Sequence, residues 1–246
     1  MPIDLQWRDR EIFKFIYAFR VASFSQIQKR YFQNVFRTAC PRRLRQLESA
    51  GLLEISVIGT KSHVYRYVSL TAKAWHEIRE NWPFEIDRPM FKSESPLHDL
   101  RVAELFFRFE RLSTFSQLMT ENLLQSSSAI AEDPKFRSLA KLQADAALVL
   151  SPKNSEPYVY GVEFEISKKA PDRYRDKLLN YYMADGIDGV LYVSDSQATL
   201  DAVARIDKEI RTKADSILHL ALEKDVLGSN GKIFFRKVSE GGIELF

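Results

Sequence analysis

With 246 residues and 45% hydrophobic content, the chain is long enough to bury one large core or two small ones, which excludes a disordered protein. A formal net charge of only +3, from 36 lysines and arginines against 33 acids, excludes a uniformly basic protein and leaves basic character to local clustering. The single cysteine, Cys40, excludes an internal disulfide framework and fits a reducing cytoplasm.

The first residues, MPIDLQWRDR, are charged from Asp4 onward, and no apolar run approaches the roughly 18 residues of a membrane span. A soluble, cytoplasmic protein is expected. In residues 9–20, Ile12, Phe13, Phe15, Ile16, Ala18 and Phe19 fall at helical spacing and predict a short amphipathic helix. A second helix is expected from Ser23 or Ser25, and a third from Thr38 as N-cap, with Pro41 in its first turn. Gly51 stands where a helix end wants a left-handed residue. Leu44 and Leu47 are expected to face inward, which leaves Arg42, Arg43 and Arg45 to other faces, and Cys40 reads as a small buried residue. LLEISVIG and HVYRYVSL, joined by GTKS, predict a hairpin with Lys61 at its tip. TAKAWHEIRENW follows as a closing helix.

Three short helices and a hairpin resemble the winged helix-turn-helix family over about residues 8–82. The resemblance implies that the third helix enters the major groove and that the hairpin touches the backbone. Arg37, Arg42, Arg43, Arg45 and Lys61 are then the expected DNA contacts. The competing reading is a solvated arginine face or a dimerisation module.

PFEIDRPMFKSESPLHDL has no periodicity and reads as a linker, with a helix N-cap at Ser95 followed by Pro96. The boundary is drawn near residue 90, giving domains 1–88 and 89–246. PLHDLRVAELFFRFERL predicts a strongly amphipathic helix; a polar stretch follows over about 121–140, with QSSSAIAEDPKFR, residues 125–137, read as a flexible surface loop. LQADAALVL and YVYGVEFEIS read as a hairpin in the middle of a sheet, PDRYRDKLLNYYMADG as a helix opened by Pro171 and closed by Gly186, and DGVLYVSDS as a buried strand. A further helix, TLDAVARIDKEIRTKADSI, and a last strand, KIFFRKV, complete the order α, β, β, β, α, β, α, β. The fold class is therefore α+β or α/β, with helices covering a mixed sheet.

Glu163 and Glu165 alternate along one strand and so share a face, and Asp145 lies close to them if the preceding strand pairs with theirs. Crowded carboxylates repel unless a cation joins them, and hard oxygen donors suit Mg²⁺ or Mn²⁺. Lys168 or Lys169 past the strand, or Lys177 on the helix behind it, supplies a second positive group. Lys177 and Tyr181 lie at i and i+4, on one helix face. The plainer reading makes the glutamates the solvated face of an edge strand, the lysines ordinary surface residues and Tyr181 a packing residue.

The Asp145, Glu163-x-Glu165, Lys pattern resembles the PD-(D/E)xK nuclease superfamily, whose restriction-endonuclease-like core is αβββαβ. Ala144 stands where the motif has proline, and Glu165 where it has lysine. With LHDLRVAELFF opening the second domain, the whole resembles the replication-relaxation group, and within it the MobC-type relaxases of mobilisable plasmids. The resemblance implies an endonuclease that nicks one strand at a plasmid transfer origin, working with an accessory mobilisation protein and a coupling ATPase. It implies Asp145, Glu163 and Glu165 as ligands of Mg²⁺ or Mn²⁺, and Lys168, Lys177 and Tyr181 as further catalytic groups. His63, His76, His98 and His219 form no His-x-His pair, so a His-rich relaxase site is not expected, although Tyr174, Tyr181 and Tyr182 lie near the acids in sequence. The alternative is a non-catalytic DNA-binding accessory or regulatory protein with a degenerate nuclease fold. The presence of all three acids separates the two.

Overall fold

The computed structural model describes residues 3–59, 64–82, 84–211, 215–229, 231–239 and 242–245. It is a mixed α+β structure in two compact units, Met1–Ala103 with Ser126–Ser128, and Glu104–Gln125 with Ala129–Phe246.

In the first unit α1 (Trp7–Phe19) buries Ile12, Phe13, Phe15, Ile16 and Phe19. It starts two residues before the expected position because Gln6 and Asp9 close a capping box, the Gln6 N–H donating to Asp9 Oδ2 at 2.8 Å. Arg20 ends it with φ 61° and turns the chain into β1 (Val21–Ser23), a strand too short to leave a pattern in the sequence. Ser23 caps α2 (Phe24–Tyr31) through a second box with Gln26, and α3 (Ala39–Ser49) buries Cys40, Leu44 and Leu47. Gly51, at φ 72°, then takes the left-handed turn that leads into β2 (Leu53–Gly59). β2 pairs antiparallel with β3 (Val64–Leu70), from Leu53 opposite Leu70 to Gly59 opposite Val64, in a sheet of order β1-β3-β2. Lys61 and His63 lie outside the described residues.

The closing helix is shorter than expected. α4 covers only Ala72–His76, and a 3₁₀ turn follows at Arg79–Asn81. Trp82 is extended (φ −82°, ψ 141°), as a residue before proline prefers. Nor is the expected linker a free tether. Phe91 packs against Tyr17 and Trp75 at centroid distances of 6.1 and 6.4 Å, and Tyr17 stacks on Trp75 at 4.6 Å.

α5 (Pro96–Phe109) carries the chain across the division between units, and β4 (Phe115–Thr120) follows. Residues 121–140, which include the loop expected at 125–137, are largely helical. They form α6 (Glu121–Ser126), α7 (Ser128–Glu132) and α8 (Arg137–Lys141), anchored by buried Leu123, Leu124, Ile130, Phe136 and Leu139. Helices of five or six residues are too short to show a 3.6-residue period, so their anchors read as isolated apolar residues in a polar stretch.

The rest of the second unit is built from β5 (Ala146–Leu150), β6 (Tyr158–Glu165), α9 (Pro171–Tyr182), β7 (Gly189–Ser194), α10 (Gln197–Ile210), β8 (Leu218–Leu222), α11 (Glu223–Gly228), β9 (Ile233–Lys237) and β10 (Gly242–Leu245). The strands form one seven-stranded sheet of order β10-β9-β8-β7-β6-β5-β4. β6, β7 and β8 are parallel neighbours, linked by the crossover helices α9 and α10, and the flanking pairs are antiparallel. β5 and β6 therefore are a hairpin inside the sheet, as their sequences predict. Asp207, fully buried on α10, accepts from the Tyr182 hydroxyl at 2.6 Å, Arg211 Nε at 3.0 Å and Ser216 Oγ at 3.0 Å, and so ties α10 to α9.

Candidate active site and arginine groove

Asp145 immediately precedes β5, and the register that sets Ala146 opposite Val162 carries it beside Glu163 on the neighbouring strand. Its Oδ2 accepts the Phe164 N–H at 2.7 Å, and its carbonyl accepts the Glu121 N–H at 2.8 Å. Glu163 and Glu165 share one face of β6 and are only 7% and 5% exposed. Lys177 on α9 reaches Glu163 Oε2 at 2.9 Å and also donates to the Gln143 carbonyl at 3.2 Å. Gln143 has φ 50°, a left-handed conformation that a non-glycine residue adopts at a cost, and that turn offers its carbonyl to the ammonium.

Tyr181, one helical turn beyond Lys177, donates its hydroxyl to Glu163 Oε1. The ring lies directly on β6 because Gly161 has no side chain: a Cβ there would stand 3.0 Å from Tyr181 Cε1 and 3.0 Å from Leu139 Cδ2. Burial pushes the Glu163 carboxyl up to about 7, against the pull of Lys177 and with a further push from Asp145. Burial opposes the charge of Lys177, but Glu163 and Asp145 outweigh it and raise its pKa. Burial, with Glu163 next, raises the Tyr181 phenol well above its ordinary value, so it stays a proton donor.

Glu165 does not join the other two acids. Its Oε2 is paired with Lys169 Nζ at 2.8 Å and its Oε1 accepts the Ser167 N–H at 3.4 Å. Lys168 is exposed. Among the described residues no three His, Cys, Asp or Glu side chains come together in an arrangement able to hold a metal ion. The donor set thus fits a hard divalent cation in part: Asp145 and Glu163 are adjacent oxygen donors, one of them buried with its proton affinity raised, and the three-carboxylate set expected from the sequence is not assembled.

Three residues at this site are absent from the sequence reading. Glu121, at the start of α6, adds to the negative field on Lys177. Tyr192 on β7 stands opposite Glu163 in the parallel register; burial raises its phenol, and Glu165 and Glu163 add to this. Gln143 enters through its turn. The position of Glu121 just after a six-residue strand is a usable signal, whereas the other two depend on register and backbone conformation. Among the described histidines, His98 pairs with Asp99 at 3.2 Å, and His219 lies beside Tyr160 on the face of the sheet opposite Glu163. Burial pulls His219 down to about 4, with Lys237 adding to the effect.

In the first unit, Arg37, Arg42, Arg43 and Arg45 line one groove of about 1090 Å³ together with Thr38 and Pro41. Arg37, Arg42 and Arg45 are exposed. Arg43 is committed elsewhere: its Nε and Nη2 donate to the two Asp9 carboxylate oxygens at 3.0 and 2.6 Å, and Nη2 also to the Asp4 carbonyl at 2.7 Å. It is a structural clamp, and the arginines left for a ligand are the other three.

No family model, curated protein or solved structure matches the chain. No helix among the described residues is long and apolar enough to cross a membrane.

Proposed function

We propose that the protein is a metal-dependent DNA endonuclease that nicks one strand, acting as a relaxase at a plasmid transfer origin. A winged helix-turn-helix module holds the DNA and a PD-(D/E)xK-type domain cuts it. The observation that carries this reading is Asp145 beside Glu163 across paired strands, with Lys177 on Glu163. The three helices and hairpin of the first unit support the first fold assignment, and the order α5, β4, β5, β6, α9, β7, with α6, α7 and α8 inserted between β4 and β5, supports the second.

Asp145 and Glu163 would hold Mg²⁺ or Mn²⁺, which when bound supplies charge neutralisation at a phosphate and an acidified water. Phe164 N–H holds Asp145 in position and Tyr181 orients Glu163. Lys177, with a third of its side chain exposed, is the cation within reach of a phosphate oxygen. Tyr181 is 1% exposed and keeps its proton on the bond to Glu163, so its part is to orient that carboxylate and not to attack the phosphate itself.

The second reading is a non-catalytic DNA-binding accessory protein, favoured by the pairing of Glu165 with Lys169. The deciding experiment incubates supercoiled plasmid carrying a candidate origin with Mg²⁺, Mn²⁺ or EDTA. Metal-dependent open circles are expected, reduced more than about hundredfold by Asp145→Ala or Glu163→Ala and much less by Glu165→Ala. Supercoiling retained under every condition, with DNA binding intact, decides for the accessory reading.

A further inference from the structure

Between α2 and α3 the segment 33–38 is exposed throughout, and at its centre Phe36 is 89% and Val35 43% exposed. A phenylalanine that open to water leaves most of its ring without partners, and burying it elsewhere is favourable. Phe36 is not placed at random. Its carbonyl accepts the Ala39 N–H at 2.8 Å, which fixes it in the turn that opens α3, and the next residue, Arg37, lines the arginine groove. An exposed aromatic ring thus stands one residue from a groove edged by three uncommitted guanidinium groups.

We infer that Phe36 is a base-contacting residue: it packs on bases of a DNA strand whose phosphates are gripped by Arg37, Arg42 and Arg45. The inference rests on the DNA-binding reading of the groove and adds to it the group that reads bases. Charge complementarity selects the ligand, since guanidinium groups match phosphates, and a nucleotide whose base is unstacked offers an apolar base face within a short reach of its phosphate. The division of labour is sharp, because arginines release counterions from the phosphates and the phenylalanine releases none.

The test titrates the full-length protein into a fluorescein-labelled mixed-sequence duplex, and into one of its single strands, over a range of salt. Phe36→Ala is expected to weaken binding to the single strand roughly five- to hundredfold with the salt slope unchanged, while Phe36→Trp keeps the affinity. Arg42→Ala and Arg45→Ala are each expected to lower the slope by about one unit. Wild-type affinity in Phe36→Ala, with the arginine variants weakened, overturns the assignment of Phe36 and leaves the groove a DNA site. A change of oligomeric state in Phe36→Ala by light scattering, with DNA binding intact, overturns it in favour of a contact between copies. Failure of the wild-type protein to bind either DNA overturns the reading on which the inference rests.

Discussion

A carboxyl group buried beside another carboxylate keeps its proton longer than one in water, and Glu163 keeps its own up to about 7. Between the ordinary carboxyl value of 4.5 and about 7 the folded protein therefore holds a proton that the unfolded chain has released, so this group's contribution to stability declines as pH rises through that window. A cation bound at Asp145 and Glu163 must displace the same proton. Affinity for Mn²⁺ is accordingly expected to climb about tenfold per pH unit below about 7 and to level off above it, measured by calorimetry. Glu163→Gln abolishes the slope, and Lys177→Met, by removing the neighbouring ammonium, moves the plateau to higher pH. A flat profile in the wild-type protein would mean that the ion sits elsewhere.

At the scale of elements, Arg43 joins the start of α1 to α3 through Asp9, which is 1% exposed. Arg43→Ala strands that carboxylate and is expected to cost about 3 kcal/mol in chemical denaturation, whereas Arg42→Ala and Arg45→Ala cost under about 0.5 kcal/mol. Stability unchanged in Arg43→Ala would show that the clamp to Asp9 contributes nothing and leave Arg43 with the exposed arginines of the groove. α3 also shows what a sequence can and cannot disclose. Its apolar period fixes Leu44 and Leu47 inward, but which arginine is claimed by Asp9, 34 residues away, follows only from packing. The same holds in the second unit. Period-two alternation makes the Glu163 face legible and the hairpin brings Asp145 to it, while Lys177 follows from helical spacing. Glu165 has the same alternation yet stands two residues further along β6, where a lysine four residues on captures it. β8 (LHLAL) escapes notice because it is only five residues long and follows directly on a stretch read as helix to Ile217, and the Gln143 turn because no residue type announces it.

Across the whole molecule the chain passes between its compact units at 103/104, 125/126 and 128/129. The short return is bonded in place: Asp87 and Arg88 N–H groups donate to the Ser126 carbonyl at 2.9 and 3.1 Å, and the Ser128 N–H donates to Asp87 Oδ2 at 2.6 Å. A fragment ending at residue 103 lacks these three bonds and is expected to be less stable than the same unit in the full chain by roughly 1–3 kcal/mol in thermal unfolding. Equal stability would show that the return contributes nothing. The consequence reaches beyond the folded state. Recombination that trades one half of such a gene for another must splice at several points at once, so the unit carrying the arginine groove and the unit carrying the acids are inherited as a set.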